Sequence, residues 1–328
     1  MIKQNTLFRD KPLSDAFEQQ SAQDWLPLEI TQLSAGAYQG QLRQIQHNDV
    51  SVFFEHQNCM VHKRGIMADP FCTVSFGRSI SGQVRLSEHD SQDNSLFFIP
   101  SGNEVDIQVG NNVETVYFRF NQPELLDRAR SVNPQRWDKT PDSVLIFDSF
   151  NRKPMEAFAH HLYSHPLFQS NAEVANDNQP LFSSVVDKVL LALDDSSLNN
   201  DVHRDLIARR RAKDQVNRAI AYIDAMLGNG TCPSIVDICI EINASQRNLQ
   251  YSFKKVLGVT PNAYLYHLRL NRARVQLTKP DNSNVTVTQV ATNWQFWHLG
   301  RFANDYLRLF GERPSTTLSR TLNLNSSE

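Results

Sequence analysis

A chain of 328 residues has the length of two domains at roughly 100 to 200 residues each, and 21% charged with 40% apolar residues is an ordinary globular balance. Collagen, coiled-coil fibre and intrinsic disorder are excluded by that composition. No apolar run approaches the roughly 20 residues a membrane helix needs, and MIKQNTLFRDKPLSD lacks the apolar core of a secretory signal, so a cytoplasmic protein without membrane contact is expected.

The formal net charge of -2 hides an imbalance, since residues 1–203 hold 16 Lys+Arg against 26 Asp+Glu and residues 204–320 hold 17 against 8. An acidic half precedes a basic one, which points the second half towards a polyanion. Cys59, Cys72, Cys232 and Cys239 contain no CxxC pair, so reduced structural thiols are expected rather than a zinc knuckle or a disulfide framework.

In chain order, residues 28–120 give short segments rich in Val, Ile, Phe and Tyr: VSVFFE at 50, FCTVSF at 71, QVRL at 83, SLFFI at 95, VDIQV at 105 and VETVYFRF at 113. These predict strands without intervening helices, hence an antiparallel sandwich or barrel. The last two alternate, with Val105, Ile107, Val109 and Val116, Phe118, Phe120 on one face and Asp106, Gln108, Thr115, Tyr117 and Arg119 on the other. A metal centre in such a barrel would need three or more converging donors, whereas His47, His56, His62 and His89 are scattered; no metal, cofactor or catalytic residue is expected. Residues 154–165 and 181–193 have helical spacing. The apolar stripe Phe182, Val185, Val186, Val189 and Leu193 fits a helix over its own barrel and a dimer seam equally.

The polar stretch DDSSLNND, residues 194–201, followed by Arg209, Arg210, Arg211 and Lys213, reads as a linker. The expected organisation is a first domain over 1–193, a linker over 194–212, a second domain over 213–320 and a tail over 321–328.

The second half contains an internal repeat. LQYSFKKVLGVTP (249–261) lies on FANDYLRLFGERP (302–314) without a gap, pairing Leu249 with Phe302, Phe253 with Tyr306, Leu257 with Phe310, Gly258 with Gly311 and Pro261 with Pro314. Upstream the offset falls by one, pairing Ile235 with Val287, Ile238 with Val290, Cys239 with Ala291 and Ile242 with Trp294, so one residue has entered the turn of the second copy. Each copy reads as a helix, a short turn and a second helix ending at Gly. Ser234, and Thr286 with Gln289, have helix-cap spacing; a long helix from Pro261 to Leu277 joins the copies, and a leading helix carries Val216, Ile220, Ile223 and Leu227. The fold class is α+β, a strand-rich first domain and an all-α second domain. Two helix-turn-helix units joined this way can enter successive major grooves, about 34 Å apart, on one face of double-stranded DNA.

On the second helix of the first copy Leu249, Phe253 and Val256 face the core, leaving Gln246, Arg247, Gln250 and Tyr251 outward. On that of the second copy His298, Gly300, Arg301, Asn304 and Arg308 remain outside Phe302, Tyr306 and Phe310. Arg suits guanine and Gln or Asn suits adenine through paired hydrogen bonds at base edges. Arg247, Gln250, Tyr251, Gly300, Arg301 and Asn304 are therefore the candidate base readers, and Ser245, Gln246, Lys254, Lys255, His298 and Arg308 the candidate phosphate contacts.

These residues carry a resemblance. VATNWQFWHLGRFANDYLRLFGERPS resembles the signature of the AraC/XylS family of bacterial transcription regulators, with Gln295 where Gly is usual and Cys239 where Ala is usual. WQFWHLGRFANDYLRLF is similar to the ethanolamine-utilisation regulators of that family. The resemblance implies a sequence-specific activator acting with RNA polymerase, and a cupin-like barrel that binds a small-molecule effector, an amino alcohol such as ethanolamine among the candidates, and often forms a homodimer. Phe54, Phe76 and Phe98 are candidate pocket residues as much as core residues. A cupin-type metalloenzyme fused to a helical module, and a DNA-binding protein whose barrel only dimerises, stay open as alternatives.

Overall fold

The computed structural model describes residues 6–23, 25–79, 84–86, 89–166, 173–174, 179–198, 204–279 and 285–325. The chain forms two compact units, one of Met1–Glu29, Gln39–Asn58 and Lys63–Asp201, the other of Ile30–Tyr38, Cys59–His62 and Val202–Glu328. The expected single cut near residues 194–212 therefore misses two short N-terminal segments that belong with the helices.

The strands form two sheets. The larger has the order β13 (Glu173–Val174), β1 (Thr6–Leu13), β3 (Gly40–His47), β4 (Val50–Gln57), β11 (Val113–Asn121), β6 (Phe71–Ser79), β9 (Ser95–Ile99), β12 (Leu145–Ser149), β14 (Ser196–Leu198). The smaller has the order β2 (Leu28–Gln32), β5 (Val61–Ile66), β10 (Glu104–Val109), β7 (Val84–Leu86), β8 (His89–Asp90). All six strand segments expected from composition are present. β1 and β3 were hidden because FRDK and LRQIQH are too polar to announce strands, although they pair along their whole length, Thr6 opposite His47 through Leu13 opposite Gly40.

Cross-strand register decides which face each residue occupies. Phe54, Val116 and Phe76 lie opposite one another, as do Val52, Phe118, Val74 and Phe98, all on one face. That face is covered by α2 (Gln122–Val132), α3 (Arg152–Tyr163) and α4 (Gln179–Asp194), whose Leu125, Met155, Leu162, Phe182, Val185 and Val189 join the same buried core. The α4 stripe thus packs on its own sheet. The other face carries Phe53, Tyr117, Ser75 and Phe97, with Trp25, from the segment after α1 (Ala16–Ala22), 5.1 Å from Phe53 between ring centroids. One-sided burial was expected of β10 and β11, yet Asp106, Tyr117 and Arg119 are buried too, because both faces of the sheets are covered.

The helical unit comprises α5 (Arg204–Gly228), α6 (Ile235–Glu241), α7 (Gln246–Leu257), α8 (Pro261–Thr278), α9 (Val287–Asn293), α10 (Leu299–Phe310) and α11 (Pro314–Asn325). Much of the expected linker is ordered structure: Ser196–Leu198 pairs with β12, and the basic cluster 209–213 lies inside α5. Polar composition misleads there because an edge strand and an amphipathic helix start tolerate it equally. The unit has two cores. Leu249, Phe253, Leu257, Ile238 and Ile242 pack with α5, and Phe302, Tyr306, Phe310, Val290 and Ala291 form the second cluster. α8 serves both, its first half supplying Tyr264, Leu265 and Leu268 to one and its second half Leu270, Ala273 and Leu277 to the other.

Candidate nucleic-acid interface

The two copies are built by the same local chemistry. α6 starts with a reciprocal capping box of Ser234 and Asp237, α9 with one of Thr286 and Gln289, each satisfying two backbone N–H groups at a helix start. α7 and α10 end on Gly258 and Gly311, at φ 72° and 74°, the left-handed conformation that a side chain would strain. Between helices, residues 242–245 make the first turn and residues 294–298 the second, so the extra residue inferred from the repeat is present. Each turn passes through a positive φ, 52° at Asn243 and 60° at Gln295. The second site explains why glycine would be easy there, and Gln295 compensates by donating from Nε2 to the Gly230 carbonyl at 2.6 Å. Arg269, stacked on Phe296, locks the same turn from α8 by donating to the carbonyls of Trp294 and Gln295 at 2.9 and 2.8 Å.

On α7, Gln246, Arg247, Gln250, Tyr251 and Lys254 are exposed above the buried Leu249, Phe253 and Val256. Lys255 is half-buried and leans on Tyr251, its Nζ 3.2 Å from the phenol oxygen. The Ser245 hydroxyl caps α7 by accepting the Asn248 N–H at 3.2 Å, which leaves its own O–H to donate outward. His298, at the N-cap of α10, and Gly300, Arg301, Asn304 and Arg308 on the helix are exposed. Sequence reasoning missed Asp305 between the last cations: its carboxylate pairs with Arg308 at 2.9 Å and Arg301 at 3.5 Å and accepts the Tyr266 O–H at 2.5 Å. Burial, with Asp305 beside it, pushes the Tyr266 phenol up to about 12, so this hydroxyl stays a donor. Acidic Asp305 fixes both arginines and partly neutralises them, a conflict of roles that residue counting cannot see.

The far end of α10 is anchored by the segment Ile30–Tyr38. Asn271 of α8 accepts the Gln32 N–H at 2.9 Å and donates to the Gln32 carbonyl at 3.0 Å; the Gln32 amide donates to the Leu309 carbonyl at 2.8 Å, and Gly36 N–H to those of Arg308 and Leu309. Nothing in the composition of residues 30–38 signals this.

In the sheet unit, a cavity of about 60 Å³ lies between faces, lined by Trp25, Leu28, Phe97, Val105 and Tyr117 with the buried pair Lys63 and Glu55. Burial pulls the Lys63 ammonium below its usual range, opposed by Glu55. Of the three candidate pocket phenylalanines, Phe76 reaches this cavity, and Phe54 and Phe76 line a separate groove of about 220 Å³ beside α3. Phe98 packs 6.3 Å from Trp137 in the core. Cys59 and Cys72 are buried and Cys232 and Cys239 half-buried, all free thiols. Among the described residues no helix is long and apolar enough to cross a membrane.

Residues 238–320 match the family described as a helix-turn-helix domain. The chain is 25% identical over 244 residues, 71% of its length and 67% of the relative's, to the XylDLEGF operon transcriptional activator 1 of Pseudomonas putida. It is 34% identical over 103 residues, 31% of its length and 30% of the relative's, to the probable thc operon regulatory protein of Rhodococcus erythropolis. A solved transcriptional regulator with an AraC-type DNA-binding domain from Chromobacterium violaceum is 25% identical over 34% of this chain and 94% of that one, with a TM-score of 0.31. The narrower likeness to ethanolamine-utilisation regulators gains no support from these matches. Residues 238–320 are thus similar to helix-turn-helix domains, and the chain is similar over 71% of its length to a transcriptional activator.

Proposed function

We propose that the chain is a sequence-specific transcription activator whose α7 and α10 read double-stranded DNA and whose sheet unit binds a small-molecule effector. The observation that carries this reading is the duplication: two separately cored helix pairs, each presenting exposed Arg with Gln or Asn, Arg247 with Gln250 and Arg301 with Asn304. The activator role is supported by the names of relatives that are transcriptional activators, and it implies action on RNA polymerase. The candidate effector site is the small, mostly apolar cavity around the buried Lys63 and Glu55.

The test is a binding titration of the full chain on its selected DNA site. Arg301→Ala should cost about 1 to 3 kcal/mol at one base position and relax specificity there, whereas Lys254→Ala should weaken all sequences and lower the salt slope by about one. Unchanged affinity and base preference in Arg301→Ala would refute the placement of α10 on the bases. The effector is sought by thermal shift of the full chain with amino alcohols, ethanolamine first, beside uncharged apolar compounds.

A further inference from the structure

The turn into α10 carries an apolar edge that hydrogen-bonded base reading does not use. Trp297 is 70% exposed and Leu299 42%, on either side of His298, which makes no side-chain cap bond. Loose packing does not cause this exposure: the preceding Phe296 is buried in the second core, and the turn is tied down by Arg269. Next along the helix, a side chain at Gly300 would meet nothing within 4 Å, so bare backbone separates the apolar edge from Arg301. Keeping an indole in water forgoes the burial free energy of a large apolar surface, and a rigid exposed one beside polar groups marks a contact site.

The surrounding charge selects the partner. Arg301 and Arg308 are both exposed along the same helix, which favours a polyanion over an apolar protein surface. In the major groove of duplex DNA the apolar feature of the base edges is the C5 methyl of thymine. We propose that Trp297, with Leu299 beside it, is a specificity-determining residue that reads thymine through its methyl group. This deepens the DNA-binding reading of α10 and rests on it.

The experiment begins with sites enriched from a random duplex pool by the full chain. Each thymine is then replaced by deoxyuridine, which removes the methyl and leaves every hydrogen-bonding group, and affinity is measured at fixed salt for the wild type, Trp297→Ala, Trp297→Phe and Leu299→Ala. At one position deoxyuridine should weaken the wild type about four-fold, the increment expected for burying one methyl-sized group. The same replacement should leave Trp297→Ala unchanged, while Trp297→Phe, which keeps an apolar ring, retains part of the penalty and Leu299→Ala reduces it. An equal penalty in wild type and Trp297→Ala overturns the proposal, as does the lack of any penalty in the wild type. If the full chain enriches no sequence, it is the DNA-binding reading that fails.

Discussion

Asn271 offers the sharpest perturbation, because one amide holds both backbone groups of Gln32. Gln32 is 1% and Asn271 9% exposed, so Asn271→Ala strands a buried N–H and a buried carbonyl that water cannot reach. Each such group costs about 1 to 3 kcal/mol, partly relieved by relaxation, and a loss of about 3 kcal/mol is expected. Asn271→Leu, which restores side-chain volume without polar atoms, should be nearly as destabilising; Gln32→Ala, which removes the bond to the Leu309 carbonyl, should cost about 1 to 2 kcal/mol. Combined, the changes should fall short of additive, since each alone releases the same segment. The assay is urea unfolding followed by helical circular dichroism, with hydrogen exchange read at residues 308–311, where Gly36 and Gln32 meet the end of α10. A change below about 0.5 kcal/mol in Asn271→Ala, an ordinary surface effect, would refute the reasoning.

At Gln295, the positive φ favours glycine, while the side chain adds its bond to Gly230. Gln295→Ala keeps the strain and loses the bond, so it should unfold about 1 kcal/mol more easily than Gln295→Gly in denaturant titration. The buried Lys63–Glu55 pair should behave as a unit: Lys63→Met leaves a buried carboxylate and should destabilise the sheet unit by about 3 to 5 kcal/mol, whereas adding Glu55→Gln should recover much of it, by thermal unfolding. Burial acts to raise the Glu312 carboxyl, but Arg274, Thr317 and Arg320 outweigh it and hold it below the usual carboxylate range. A carboxylate so lowered contributes stability above its unfolded value, and that stability disappears as pH falls through the lower folded value. Acid should therefore weaken the helical unit below about pH 4.5, the ordinary carboxylate value, and Glu312→Gln should flatten that part of the stability profile measured by circular dichroism.

The helical unit was legible in the sequence because it is written twice. Each core position, each terminal glycine and the extra turn residue could be checked against a second copy, so the pattern Leu249, Phe253, Leu257 and its counterpart Phe302, Tyr306, Phe310 settled both helix faces. The sheet unit offered no such check. Where both faces of a strand are buried, alternation stops distinguishing them; Phe54, Phe76 and Phe98 were singled out, yet the neighbouring positions Phe53, Phe97 and Tyr117 occupy the face that carries most of the aromatic cluster around Trp25. The docking of residues 30–38 rests on long-range amide bonds, which leave no periodicity to read.

Charge was legible in sign and misleading in amount. The excess of Lys and Arg after residue 204 suggested a surface devoted to phosphates, but several of those cations are committed inside the unit. Arg272 pairs with Asp224 at 2.5 Å, Arg274 with Glu312 at 2.9 Å, and Arg269 donates to backbone carbonyls of the second turn. A cation already held by a carboxylate neutralises no phosphate and releases no counterion. The salt dependence of DNA binding should thus be shallower than the total excess suggests and include the exposed cations of α7 and α10, with Asp305 moderating it further through its hold on Arg301 and Arg308. Asp305→Asn should accordingly steepen the salt slope and raise affinity for unrelated sequences more than for the selected site, because both freed arginines would gain phosphate contacts while Arg301, the proposed base reader, would lose the carboxylate that orients it.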